Sequence, residues 1–208
     1  LGATWQKATG VPDGALGFAI ETDPSNPGKV YAATSKGLFR STDGGKSYAN
    51  VKLPTGACAG VEGGGSCQLA NMVTDVVVNP GGGVNGSVPA GTVVAAVGWR
   101  AGNRTNSDGT VQSPNNGIYR SASGDPGSFV KEAAPGFAAQ DRIGRVELGN
   151  AVGPQQDHDF LYAIVQDAAV LNGQLDVVDA SGVPDPRGSK GTVLNGIYVS
   201  ADFGKTWT

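Results

Sequence analysis

One twelve-residue segment occurs twice in this chain and a third time in altered form. Gly37-Leu38-Phe39-Arg40-Ser41-Thr42-Asp43-Gly44-Gly45-Lys46-Ser47-Tyr48 returns as Gly196-Ile197-Tyr198-Val199-Ser200-Ala201-Asp202-Phe203-Gly204-Lys205-Thr206-Trp207. A looser copy runs from Gly117 to Phe129, with one extra residue in its turn. Leu1-Gly2-Ala3-Thr4-Trp5 matches the back half, Phe203 to Trp207. The copies start at Ser41, Ser121 and Ser200, 80 and 79 residues apart; aligning Leu1 with Phe203 puts the missing first Ser at −2, 43 before Ser41. Recurrence at such intervals marks an architecture in which each unit buries its apolar face only against its neighbours.

The unit reads as a hairpin. An apolar and aromatic strand enters a turn whose Asp carboxylate can accept backbone N–H groups. Gly supplies the left-handed backbone, and the closing Tyr, Phe or Trp packs beneath the turn. Asp43 and Asp202 are therefore read as turn-stabilising, not catalytic. The remaining apolar segments are short, β-branched and bounded by turn residues: Lys29 to Thr34, Val73 to Val78, Thr92 to Val97 and Leu161 to Gln166. Asp23-Pro24-Ser25-Asn26-Pro27-Gly28, Asn79-Pro80-Gly81-Gly82-Gly83, Asn116-Gly117 and Asn195-Gly196 favour reversals. No amphipathic helix is found, so the pattern predicts an all-β chain of hairpins.

The pattern Ser-x-Asp-x-Gly-x-Thr-Trp resembles the Asp-box, or BNR repeat, of the sialidase and xyloglucanase-like superfamily of β-propellers. The structural residues of that resemblance are Ser41, Asp43, Gly45 and Tyr48, and Ser200, Asp202, Gly204 and Trp207. It implies four-stranded antiparallel blades, about three of them, as part of a larger ring. A blade needs about 40–45 residues, so the two long spacings each carry on the order of 35 extra. Blade one is placed at about 10–53, blade two at about 71–133 and blade three at about 141–208. The insertions then fall at Pro54 to Ala70, Arg100 to Asn116 and Ala168 to Asn195. Because strands alternate in direction, all three emerge at one end, where the resembled enzymes hold their substrate cleft. Propellers typically have four to eight blades. The remaining blades are thus expected from the same parent chain or from another copy.

Composition narrows the function. Charged residues make up 16% and the net charge is −3, which excludes the Lys- and Arg-rich surface that nucleic acid requires. No apolar run approaches the roughly 20 residues that span a bilayer. The single His excludes a His-rich metal site, and no metal or cofactor is expected. Cys58 and Cys67 have no zinc spacing and read as a local disulfide, which points to an oxidising, secreted setting. Asn85-Gly86-Ser87 and Asn103-Arg104-Thr105 fit the glycosylation triplet.

The resemblance implies a carbohydrate-active role, glycoside hydrolysis of a polysaccharide or glycoconjugate, with a non-catalytic glycan- or protein-binding propeller or extracellular scaffold as the alternative. Glycosidases of this kind use two carboxylates across a cleft. Asp141, just ahead of an inner strand, and Asp75, within one, are the candidates, with Asp167 near the exit of another strand. The sialidase signature Phe/Tyr-Arg-Ile-Pro is absent; Asp141-Arg142-Ile143-Gly144 keeps only its Arg-Ile. Trp99, as a sugar-stacking platform, and Arg100 and Arg142, as hydrogen-bond donors, are the candidate substrate-binding residues. Trp5 and Trp207 read as structural. Asp157-His158-Asp159 reads as an exposed turn.

Overall fold

The structure, a computed structural model, describes residues 4–63, 67–98, 114–168 and 194–208. It is all-β, and its described residues form three antiparallel sheets. The first contains β1 (Gly17–Thr22), β2 (Val30–Thr34), β3 (Gly37–Ser41) and β4 (Ala49–Asn50). The second contains β5 (Val73–Val78), β6 (Val93–Val97), β7 (Gly117–Ser121) and β8 (Val130–Lys131). The third contains β9 (Ile143–Asn150), β10 (Leu161–Asp167) and β11 (Leu194–Ser200). Each is a simple meander. In the third, Val199 and Thr208 exchange backbone hydrogen bonds of 2.9 Å, as the outermost pair does in the other two, where Arg40 faces Ala49 and Arg120 faces Val130.

The sheets stack face to face with their first strands together: β1 packs on β5, and β5 on β9. Meanders assembled through their innermost strands are the blades of a partial β-propeller. β2, β5, β6 and β10 lie within one residue of the four segments expected from the sequence. Among the described residues the single-turn 3-10 segments Gly56–Cys58 and Gln140–Arg142 carry no periodicity and were not anticipated.

Register explains the packing. Ile20, Ala32 and Phe39 lie side by side across the first sheet, as do Val76, Ala95 and Tyr119 in the second and Leu148, Ala163 and Tyr198 in the third. This row faces the preceding sheet. The adjacent row, Ala19, Ala33 and Leu38, then Asp75, Ala96 and Ile118, then Glu147, Ile164 and Ile197, faces the following one. Alternation of side chains along a strand makes this separation obligatory. One core, with Tyr31, Ala33 and Leu38 against Val76, Ala95 and Tyr119, joins the first two sheets. A second, with Val94, Ala96 and Ile118 against Leu161, Ala163 and Phe203, joins the last two. The middle sheet is covered on both faces, which is why β5 and β6 are near-continuous Val and Ala with no polar alternation.

Candidate functional site

The two ends of the meanders differ. At one end lie the short turns β1–β2, β5–β6 and β9–β10, together with the repeated hairpins. Ser41 Oγ donates to Asp43 Oδ1 at 2.7 Å, the backbone N–H groups of Lys46 and Ser47 donate to the same oxygen at 3.0 Å, and Ser47 Oγ donates to Oδ2 at 2.6 Å. Asp202 repeats the set with Ser200, Lys205 and Thr206. The hydrogen bonds, that of Ser41 foremost, hold the Asp43 carboxyl well below the usual range. At Asp202 burial opposes ionisation, and the donors, Thr206 first, outweigh it. In the altered copy Ser123 occupies the Asp position. Ser121 and Ser128 pair through their hydroxyls at 2.6 Å, and Asp125 turns away to Arg40 of the first sheet at 2.5 Å.

Asp157-His158-Asp159 is not the exposed turn expected. His158 and Asp159 are 8% and 5% exposed. The β5–β6 turn of the neighbouring sheet lies on them. Asp159 accepts the Ser87 N–H and hydroxyl and the Val88 N–H, at 2.7 to 2.9 Å. His158 lies between two carbonyl oxygens, Gly81 O at 2.7 Å from Nδ1 and Gly153 O at 3.0 Å from Nε2. Both oxygens accept, so both ring nitrogens are satisfied only when both carry protons. These carbonyls, Gly81 first, raise the imidazole above its ordinary range. Three successive glycines, Gly81 to Gly83, were the sequence signal for this close approach. Asn85 stands exposed in the same turn, while Ser87 of its triplet is committed to Asp159.

The opposite end carries the long connections. The link from β4 to β5 contains the Cys58–Cys67 disulfide, and Asn71 Nδ2 donates to the Cys58 and Val61 carbonyls at 2.9 and 2.8 Å. Asn116 Nδ2, at the entry to β7, donates to Ile143 O at 2.8 Å. Beside it lies a cavity of about 570 Å³ bordered by Asn116, Lys131, Phe137, Gln140 and Ile143. Lys131 Nζ and Gln140 Nε2 both donate to Pro114 O, at 3.0 and 2.6 Å, and burial lowers the Lys131 ammonium.

Asp141 is exposed in the Gln140–Arg142 turn at this end. Its neighbour Arg142 is bound through two nitrogens to the buried Asp167, with Nε 2.8 Å from Oδ2. Asn195 Nδ2 also donates to Asp167 at 2.9 Å, and Tyr198 OH donates to Asn195 Oδ1 at 2.6 Å. The turn entering β9 and the start of β11 thus converge on one carboxylate of β10. Nothing local in the sequence signals that pairing, since Arg142 and Asp167 meet only through the β9–β10 register. Asp75 is not part of this group. It lies within β5, where Leu148 N–H donates to Oδ2 at 2.6 Å and Val76 N–H to Oδ1 at 2.8 Å. Burial raises it despite those bonds. Trp99 and Arg100 lie outside the described residues, as do Asn103 and Arg104. Trp207 is buried at 3% exposure, its ring 4.8 Å from Phe137. Trp5, expected to be structural in the same way, is 89% exposed.

No family model matches this chain, and none of the curated proteins does. Among solved structures, it is similar to a GH74 enzyme of Niastella koreensis, at 18% identity and a TM-score of 0.44, over 92% of this chain and 22% of that one. It is also similar to an ancestral GH74 enzyme, at 17% identity and a TM-score of 0.33, over 92% of this chain and 25% of that one. The chain therefore spans about a quarter or less of these structures.

Proposed function

We propose that the chain is a portion of a secreted, carbohydrate-active propeller of the Asp-box class, divided into blades at about 10–53, 71–133 and 141–208, and that it contributes to a glycoside hydrolase acting on a polysaccharide or glycoconjugate. The observation that carries the reading is the exposed Asp141 beside an arginine already fixed by Asp167, next to an open cavity at the end where the long connections gather. An acid on a rigid rim is what glycosidic chemistry requires. Arg142 acts in this reading as a tether for the turn, and Trp99 and Arg100 extend the sugar-binding surface. The two matching Asp-centred turns support the class. The Cys58–Cys67 bridge supports an oxidising compartment.

A second reading, a glycan-binding propeller without catalysis, is favoured by one feature. Among the described residues the two other candidate carboxylates are both engaged, Asp75 by backbone donors and Asp167 by Arg142. The two readings separate on measurement. The parent protein is incubated with xyloglucan, other β-glucans and sialylated glycoconjugates, and reducing ends and retention are both read. Hydrolysis abolished by Asp141→Asn supports the enzyme. Retention with no hydrolysis, unchanged in Asp141→Asn, supports the binder. Neither retention nor hydrolysis of any glycan overturns both.

A further inference from the structure

The dipeptide Asn-Gly occurs three times among the described residues, and the fold treats the three copies differently. An asparagine followed by glycine is open to attack by its own chain, because glycine has no Cβ to shield its nitrogen. Asn116 is buried, its Nδ2 donates to Ile143 O at 2.8 Å, and Gly117 is paired with Val97 in the second sheet. Asn195 Nδ2 donates to Asp167 at 2.9 Å, its Oδ1 accepts the Tyr198 hydroxyl at 2.6 Å, and Gly196 is paired with Val165 in the third sheet. Asn85 is exposed in the β5–β6 turn, with a left-handed φ of +63°. Among the described residues no hydrogen bond holds its amide or the Gly86 N–H.

We propose that Asn85 is a site of self-modification, converted by its own backbone to aspartate and isoaspartate, and that the conversion loosens the joint between the second and third sheets. The Gly86 nitrogen gives up its proton and bonds to Asn85 Cγ, while the Cγ–Nδ2 bond breaks and the amide nitrogen leaves as ammonia. Water then opens the cyclic imide. Attack at Cγ restores the ordinary main chain and leaves aspartate; attack at the Asn85 backbone carbonyl routes the main chain through Cγ and leaves isoaspartate. Water is the only co-reactant, and nothing is oxidised or reduced. Isoaspartate adds a methylene to the main chain of a turn that has no slack. On one side of Asn85, Val84 N–H donates to Gln156 O at 2.9 Å; on the other, Ser87 and Val88 N–H donate to Asp159 at 2.7 and 2.9 Å. Both anchors lie in the β9–β10 turn of the third sheet. Between them Gly86 comes so close to Gly82 O that a Cβ on it would lie 1.9 Å away. The new carboxylate also brings negative charge to a turn already bound to Asp159.

Peptide mapping by mass of the folded parent protein, incubated in heavy-oxygen water over a time course, tests this. The Asn85 peptide is expected to exchange its amide nitrogen for labelled oxygen and to become a substrate for an isoaspartyl methyltransferase. Asn116 and Asn195 react only after local opening of their strands, so Asn85 should lead them by about tenfold or more. In guanidinium the three rates should converge. Asn85→Gly removes the reacting amide and keeps the left-handed turn. After equal ageing the wild type should have lost stability to urea and Asn85→Gly should not; fresh Asn85→Asp, which has the charge without the added methylene, should lie between them. The rate comparison needs no variant and stands if Asn85→Gly misfolds. An Asn85 that keeps its amide in the folded protein, equal rates at the three sites before unfolding, or an aged wild type as stable as aged Asn85→Gly would overturn the proposal. So would a glycan already attached to the Asn85 amide in the protein from its source.

Discussion

The two ends of this molecule are held together in different ways. The turn end is held by short side chains bonding to backbone: Asp43 and Asp202 each gather four donors from their own hairpin, and Asp159, His158 and Asn79 tie one sheet's turn to the next. Among the described residues the opposite end is joined by longer-range contacts, among them Arg142 with Asp167 and Asn116 with Ile143. A scaffold pinned at one end leaves the connections at the other free to vary in length and sequence, and that is where binding residues concentrate in such folds. Substitutions at the turn end should therefore change folding, and those at the connection end should change recognition.

The largest expected effect is at Gly83. Its φ is +76°, and a Cβ there would lie 2.3 Å from Gln156 O and 2.9 Å from the His158 ring. Gly83→Ala should destabilise by about 2–4 kcal/mol in urea unfolding. Gly44, in the first Asp-centred turn, has the same φ of +76° with nothing near its Cβ. Gly44→Ala isolates the backbone cost alone, about 1 kcal/mol. Equal losses at the two positions would show that the turn-to-turn contact at His158 contributes nothing.

Asp202→Ala comes next. It removes four accepted hydrogen bonds, partly screened by solvent, and should cost about 1–2 kcal/mol. The same change at Asp43 should act in the same direction, and one at Ser123, which already lacks the carboxylate, should be the mildest of the three. Loss of stability at Ser123 as large as at Asp202 would mean that the altered turn is held by an equivalent network after all.

The turn end also sets a pH window. Asp43 and Asp202 have lowered pKa values, so their contribution is present above the unfolded value of about 3.8 and is lost as pH falls through the lower folded values. His158 has a raised pKa. Its contribution is complete below the unfolded value of about 6.5 and disappears as pH rises through the higher folded value. Thermal stability should be greatest between these limits and should decline on the alkaline side. His158→Gln should flatten the alkaline decline only; a decline that persists would assign it to another group.

Much of the turn end was legible from sequence because its interactions are local. Asp43, Ser41 and Ser47 lie within six residues of one another, so spacing alone revealed the hairpin and its recurrence fixed the sheets. His158 was misread because its partners, Gly81 and Gly153, belong partly to the neighbouring sheet and are backbone carbonyls, which leave no side-chain signature. Asp75 was noticed for its place within an inner strand, but its partner, a backbone N–H 73 residues away, leaves no signature in the sequence. Asp167 and Arg142 were each noticed, but their pairing depends on the β9–β10 register, with its shift between Val165 and Asp167. Contacts between sheets are where reading a single chain in order loses information.

Asp141 gives the smallest effect on folding and the sharpest test of the division. It is exposed, and no side-chain hydrogen bond ties it to the sheets among the described residues. Asp141→Asn should shift unfolding by no more than about 0.5 kcal/mol, as surface changes do. Asp167→Asn, one residue away through Arg142, leaves the guanidinium facing a neutral amide and should destabilise measurably by the same assay, as breaking a part-buried pair does. If both variants lose hydrolysis or glycan retention in the parent protein while only Asp167→Asn loses stability, the pair acts by fixing the turn that presents Asp141. If Asp141→Asn itself unfolds the chain, the connection end bears structural load like the turn end, and the contrast between them fails.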